Sequence, residues 1–178
     1  MKHLTSPLLF LSLALAARGS VAQESLPVPS IADATYAEYR NEYRASALCG
    51  KEEITLWSCE TRRRAYALCS SPVVTRTSGY MQYRAANRGK MTFQYPAAKS
   101  PPTGLFSYVS YGNGNASLEF TSSGYHYMLL DPLRENSSIV VSPPAGGKET
   151  EIACPGNQTL QVNYTMRLMY DSGVWLGK

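Results

Sequence analysis

Histidine is almost absent from this sequence. The 178 residues contain two, and His3 lies in the opening segment, which leaves His126 as the one imidazole in the body of the chain. Any Ser–His or Cys–His mechanism would have to use it. Its nearest candidate partners are Ser123 and Asp131. On an extended strand, His126 and Asp131 stand roughly 16 Å apart, and their odd separation turns them to opposite faces. No triad arm forms that way. Paired-histidine spacing is missing, and the cysteines recur about ten residues apart in a chain whose thiols should be oxidised, so no metal site is expected. A Walker loop is missing too; Gly112-Asn113-Gly114 reads as a turn. Glu119, Asp131, Glu149 and Glu151 are scattered and form no evident glycosidase pair. These gaps point away from an enzyme and imply no cofactor.

Long apolar runs are lacking as well. Pro7–Ala17 (PLLFLSLALAA) is 11 residues long, against the roughly 20 that a membrane-spanning helix requires. It follows Lys2 and His3, and Ser20 and Ala22 then supply the small residues read by a signal peptidase. Residues 1–22 are therefore expected to be an export signal, without a lipid-anchoring cysteine. The chain from Gln23 to Lys178, 156 residues, has no transmembrane segment and suits one domain. Excess charge is missing too. Seventeen basic and 13 acidic side chains give +4, and losing Lys2 and Arg18 with the leader leaves +2. So weak a charge does not imply nucleic acid as a partner.

What is present is a pattern for strands. Residues 23–34 carry two prolines and read as a flexible lead-in; residues 35–178 read as a single β-rich domain. Tyr36, Tyr39, Tyr43 and Ala47 fall at helical spacing and predict one short helix over Thr35–Leu48. After Cys49 the period becomes two. Strands are expected over 54–59, 65–69, 80–84, 90–95, 106–111, 116–122, 125–130, 139–142 and 149–154. Turn residues punctuate them: Arg62-Arg63-Arg64, Ala86-Asn87-Arg88-Gly89, the Pro-rich 96–104, Gly112–Asn115, Ser123-Gly124 and Pro143–Gly147. The cleanest alternation is Leu160, Val162, Tyr164, Met166, Leu168 and Tyr170. The fold class is mainly β: an antiparallel sandwich or barrel of about eight to ten strands, with one wet face on each sheet.

Four cysteines (Cys49, Cys59, Cys69, Cys154) in an oxidising compartment read as two disulfides. If the first hairpin turns at Arg63–Ala65, Cys59 faces Cys69 across it, and Cys49 is left to Cys154. Arg62-Arg63-Arg64 is either an anion-binding tip or a solvated one. Tyrosine, 13 residues against four phenylalanines, offers apolar rings with hydroxyls, suited to recognition faces and equally to pleated sheets. Asn115, Asn136, Asn157 and Asn163 begin N-x-S/T sequons, whose use depends on the host.

Several stretches resemble small, largely uncharacterised exported proteins of Gram-negative bacteria. They are LWSCETRRRAYALCSS (56–71), SGYMQYR (78–84), GKMTFQYP (89–96), SSGYHYMLLD (122–131) and GGKETEIAC (146–154). The resemblance implies a periplasmic or secreted location and no established activity. Ser123-Gly124-Tyr125-His126-Tyr127 fits S-G-x-x-Y and is similar to the loop that periplasmic lysozyme inhibitors insert into the lysozyme cleft. That likeness implies a rigid turn with Ser123, Gly124, Tyr125 and Tyr127 as contacts, and a protein partner such as a lysozyme or toxin. An envelope component bound through Arg62–Arg64 and tyrosine-rich strand faces is the alternative; a hydrolase is the least supported.

Overall fold

The computed structural model describes residues 45–112, 115–132 and 135–155. The leader, the lead-in and the alternating segment 160–170 lie outside them. So does most of the expected helix; its last residues, 45–48, are not helical and turn into Cys49, with the Cys49 amide donating to the Ser46 carbonyl at 3.1 Å.

Among the described residues nine strands follow: β1 (Ile54–Glu60), β2 (Arg64–Ser70), β3 (Met81–Asn87), β4 (Lys90–Tyr95), β5 (Ser107–Ser110), β6 (Ala116–Ser122), β7 (Tyr125–Asp131), β8 (Ser138–Ser142) and β9 (Thr150–Ala153). They form two antiparallel sheets, β1-β2-β3-β4 and β5-β6-β7-β8-β9. Within each sheet every strand pairs with its neighbour in sequence, and the tightest turns return the chain at once. Ser123-Gly124 and Arg88-Gly89 do so in two residues with positive φ at both (51° and 79°; 49° and 78°), the backbone twist that tight hairpins favour.

Alternation supplies the inward rows that bring the sheets together. Leu68 and Tyr66 of β2, Met81 and Tyr83 of β3, Leu118 and Phe120 of β6, Leu129 of β7 and Ile139 of β8 are all at most 5% exposed. Rings cross between the sheets: Tyr95 stacks on Phe120 at 4.5 Å and Phe93 on Tyr127 at 5.3 Å. The arrangement is sandwich-like, with an aromatic middle layer. Among the described residues no helix is long and apolar enough to cross a membrane.

Two expectations need correction. The disulfides are Cys49–Cys69 and Cys59–Cys154, with Cα separations of 5.4 and 5.2 Å, and neither Cys59–Cys69 nor Cys49–Cys154 forms. The register explains this. Glu60 pairs with Ala65 and Cys59 with Tyr66, so the turn occupies 61–63, and the irregularity between Thr55 and Trp57 places Cys69 opposite Thr55. Cys59 shares the inner face with Tyr66, whereas Cys69 lies between inward Leu68 and Ser70 and points outward. Cys59 therefore ties β1 to the end of β9, and Cys69 holds residue 49 over the outside of the sheet.

That outside is also not wet. Ala67, Cys69, Gln82 and Ala86 are at most 2% exposed, and Arg84 is 7% exposed. The segment 45–53 is fastened there. The Ser46 amide donates to Thr55 Oγ1 at 3.1 Å, and Arg84 donates to the Leu48 carbonyl at 2.7 Å.

Candidate functional site

The aromatic layer is dense at one end and open at the other. Tyr83 lies at its middle, with Phe120 at 5.2 Å, Phe93 at 6.0 Å, Tyr127 at 6.2 Å and Tyr66 at 6.5 Å between ring centroids. Toward the hairpin turns the next inward residue of β3 is Ala85, too small to reach Val141 and Ile152 of the facing sheet. A cavity of about 400 Å³ results, walled by Tyr66, Tyr83, Phe93 and Tyr127, with Arg64, Asn87 and Thr92 among its lining. Were it sealed and empty, about 24 cal/mol per Å³ would make it cost roughly 10 kcal/mol, as much as a whole domain's stability. The space is therefore one that solvent or a ligand fills, and its size falls within the ~300–1,000 Å³ of small-molecule sites.

Its walls carry polar handles. Tyr95, at the dense end, donates its hydroxyl to the Leu105 carbonyl at 3.1 Å. The hydroxyls of Tyr66, Tyr83 and Tyr127 have no hydrogen-bond partner among the described residues. Burial pushes the Tyr83 phenol far above its ordinary pKa of 10, with the Tyr66 and Tyr127 phenols adding to the shift. Tyr127 is raised mainly by burial too, with a smaller contribution from Tyr125. Both remain protonated donors at neutral pH.

The rim is cationic. Arg64 begins β2 and Asn87 ends β3 in a direct pair. The Arg88 amide donates to the Arg63 carbonyl at 2.8 Å, which joins the two hairpin turns of the four-stranded sheet. Arg62, Arg63, Arg64, Arg88 and Lys90 are thereby gathered at one edge, all exposed. None of the five side chains has an ion pair or hydrogen bond among the described residues.

The residues singled out from sequence converge on this end. Arg64 and Tyr127 line the cavity, and Arg62 and Arg63 stand beside its mouth. Ser123-Gly124 forms the neighbouring turn in the other sheet, where a Cβ on Gly124 would meet Pro144 at 3.4 Å. Tyr125 is 42% exposed. Tyr127, however, stacks inside on Phe120 at 4.7 Å, so the five-residue motif is not presented as one surface. Sequence reading missed Tyr66, Tyr83 and Phe93; their signal was tyrosine and phenylalanine at alternate positions of strands that also carry alanine.

Comparison with protein-family models, curated proteins and solved structures finds no match.

His126 lies on the outer face of the five-stranded sheet, away from the cavity. Its Nε2 is 3.4 Å from Glu119 Oε2, and Ser117 Oγ donates to Glu119 Oε1 at 2.8 Å. The carboxylate thus stands between hydroxyl and imidazole, an order that gives the serine no histidine base. Asp131 is fully buried and pairs opposite Ala116. Among the described residues one set could offer metal ligands, Cys49, Glu53 and Cys69, with ligand atoms within 4.8 Å. Both sulfurs are consumed by their disulfide.

Glu53, the third member, is a structural anchor that sequence did not reveal. It accepts Arg84 at 2.5 and 2.8 Å, Tyr80 Oη at 2.6 Å and the Gly50 amide at 2.7 Å, with Lys99 Nζ at 3.1 Å. The Arg84 guanidinium, helped by these donors and opposed by burial, holds its carboxyl well below the usual carboxylate range.

Proposed function

We propose that this chain is an exported, non-catalytic binding protein of β-sandwich form, and that it binds a small ligand in the aromatic cavity at its turn end. The cavity carries the reading: an opening between two sheets, faced by rings and by hydroxyls without a partner among the described residues. Two disulfides and the resemblance to small exported proteins of Gram-negative bacteria support a periplasmic or secreted setting. His126 faces the Glu119 carboxylate on the outer face, away from the cavity, which supports binding over histidine-assisted hydrolysis there.

Fluorescent naphthyl probes, neutral or charged, test it. Titration should give saturable one-to-one binding that Thr92→Trp, placed at the exposed mouth, abolishes. Absence of saturable binding by every such probe would end the reading.

A second reading, recognition of another protein through the 123–124 turn, is favoured by one observation. That turn is a two-residue hairpin braced on Pro144 with Tyr125 exposed beside it, and a rigid wedge enters a cleft at little ordering cost. It requires that the protein inhibit a lysozyme and that Ser123→Ala or Tyr125→Ala weaken the inhibition by about 1–3 kcal/mol. No inhibition at large molar excess excludes it.

A further inference from the structure

We infer that the ligand of the turn-end cavity is an amphiphilic anion: an apolar or aromatic body lodged among Tyr83, Phe93 and Tyr127, with a carboxylate, phosphate or sulfonate head held by Arg64 at the cationic rim. The inference rests on the binding reading above and goes beyond it by naming the ligand's charge and shape.

Among the described residues the lining contains no carboxylate. Its ionisable members other than Arg64 are the phenols, which donate hydrogen bonds while protonated, so the cavity offers donors and positive charge to an occupant that brings acceptors and negative charge. The nearby acids are turned elsewhere. Glu60 follows inward Cys59 and pairs with Ala65, which places it on the outer face. Glu151 precedes cavity-lining Ile152 and likewise faces outward, and Glu149 accepts Ser142 Oγ at 2.6 Å. Lys148, exposed on the β8–β9 connection, adds a further cation to the facing sheet.

On the outer face of the four-stranded sheet two cations are paired. Arg84 and Lys99 both reach Glu53. At the rim, by contrast, five cations crowd two turns joined by a single backbone hydrogen bond, and like charges held together repel. A bound anion removes that repulsion, and its apolar body fills the space that Ala85 leaves. A body without a head would leave the rim uncompensated, and a head without a body would leave the cavity wet.

A matched pair of probes separates the two halves of this claim. N-phenyl-1-naphthylamine and 8-anilino-1-naphthalenesulfonate share their rings and differ by the sulfonate. The sulfonate should bind at least about tenfold more tightly near 0.01 M salt, where charges are felt over about 30 Å. The preference should shrink toward parity at 1 M salt, where that length is about 3 Å. The combined variant Arg62→Gln, Arg63→Gln, Arg64→Gln should bring the two probes within about twofold of each other. Arg76→Gln, an exposed cation on the β2–β3 connection, should leave the preference intact. Dodecanoate and dodecyl phosphate should each displace the bound sulfonate at concentrations where dodecanol does not, and the stronger competitor identifies the head group. Equal affinity for the two probes, a preference that survives the triple substitution, or equal displacement by dodecanol would overturn the inference while leaving the cavity a binding site. Binding of neither probe would overturn both.

Discussion

At one end of the interior Tyr95 stacks on Phe120 at 4.5 Å, meets Phe106 edge-on at 5.4 Å and gives its hydroxyl to the Leu105 carbonyl. At the other end Tyr66, Tyr83 and Tyr127 face a cavity of about 400 Å³ with their hydroxyls unpartnered among the described residues. The residue types are the same. The difference lies in their neighbours: Phe106, Leu118 and Leu129 fill the first end, while Ala85 leaves room at the second. Aromatic content alone therefore does not distinguish a core from a site. A ring serves stability when every side of it is in contact, and serves recognition when one side and its polar tip are left to an occupant.

The largest test of that contrast is a pair of truncations. Phe120→Ala removes a ring that touches Tyr83, Tyr95, Phe106 and Tyr127, and should cost about 3–5 kcal/mol in urea unfolding. Phe93→Ala, at the half-buried wall of the cavity, should cost about 1–2 kcal/mol because water already reaches its ring. Equal costs would mean that the second end is as closed as the first.

Next in size is the polar lock on the outer face. Glu53→Gln leaves the Arg84 guanidinium without its carboxylate and should cost about 3 kcal/mol at pH 7. Because the folded-state pKa of Glu53 lies below its unfolded value of about 4.3, the stabilisation is complete above that value. It fades only as the pH falls toward the depressed folded one. Unfolding curves at pH 7, 4 and 2 should thus show a wide gap between wild type and variant at pH 7, and a narrower one only in strong acid. A gap that closes by pH 5 would place Glu53 outside the lock.

Enlarging the alanines sharpens the comparison further. Ala116→Leu, in a fully buried site, should overpack and cost about 1–3 kcal/mol. Ala85→Leu should change stability by less than about 1 kcal/mol, since its added carbons enter existing space, and should weaken naphthyl-probe binding. The smallest effect belongs to the rim: Arg63→Gln should shift stability by no more than about 0.5 kcal/mol, and in the favourable direction if repulsion from Arg88 dominates. A loss above 1 kcal/mol would show that the rim supports the fold itself.

The order of strands was legible because its causes are local. Period-two alternation marks 54–59, 116–122 and 125–130, and the pairs Arg88-Gly89 and Ser123-Gly124 supply the positive φ that reverses the chain. The disulfide partners were not legible. A turn at 61–63 in place of Arg63–Ala65, together with the irregularity near Leu56, moves Cys59 and Cys69 out of register and onto opposite faces. An error of one or two residues in a turn reverses such an assignment. Arg84 was hidden for a related reason: alternation identifies it as outward, but it cannot say that residues 45–53 lie over that face.

Alternating side chains, turn chemistry and four cysteines were enough to dictate an antiparallel, cross-linked β protein, because each acts between neighbours along the chain. Which cysteines meet, which face stays wet, and the juxtaposition of Arg64 with Tyr127 from different sheets depend on register and on how one sheet rests on the other. Those are contacts between residues distant in sequence, and only packing decides them.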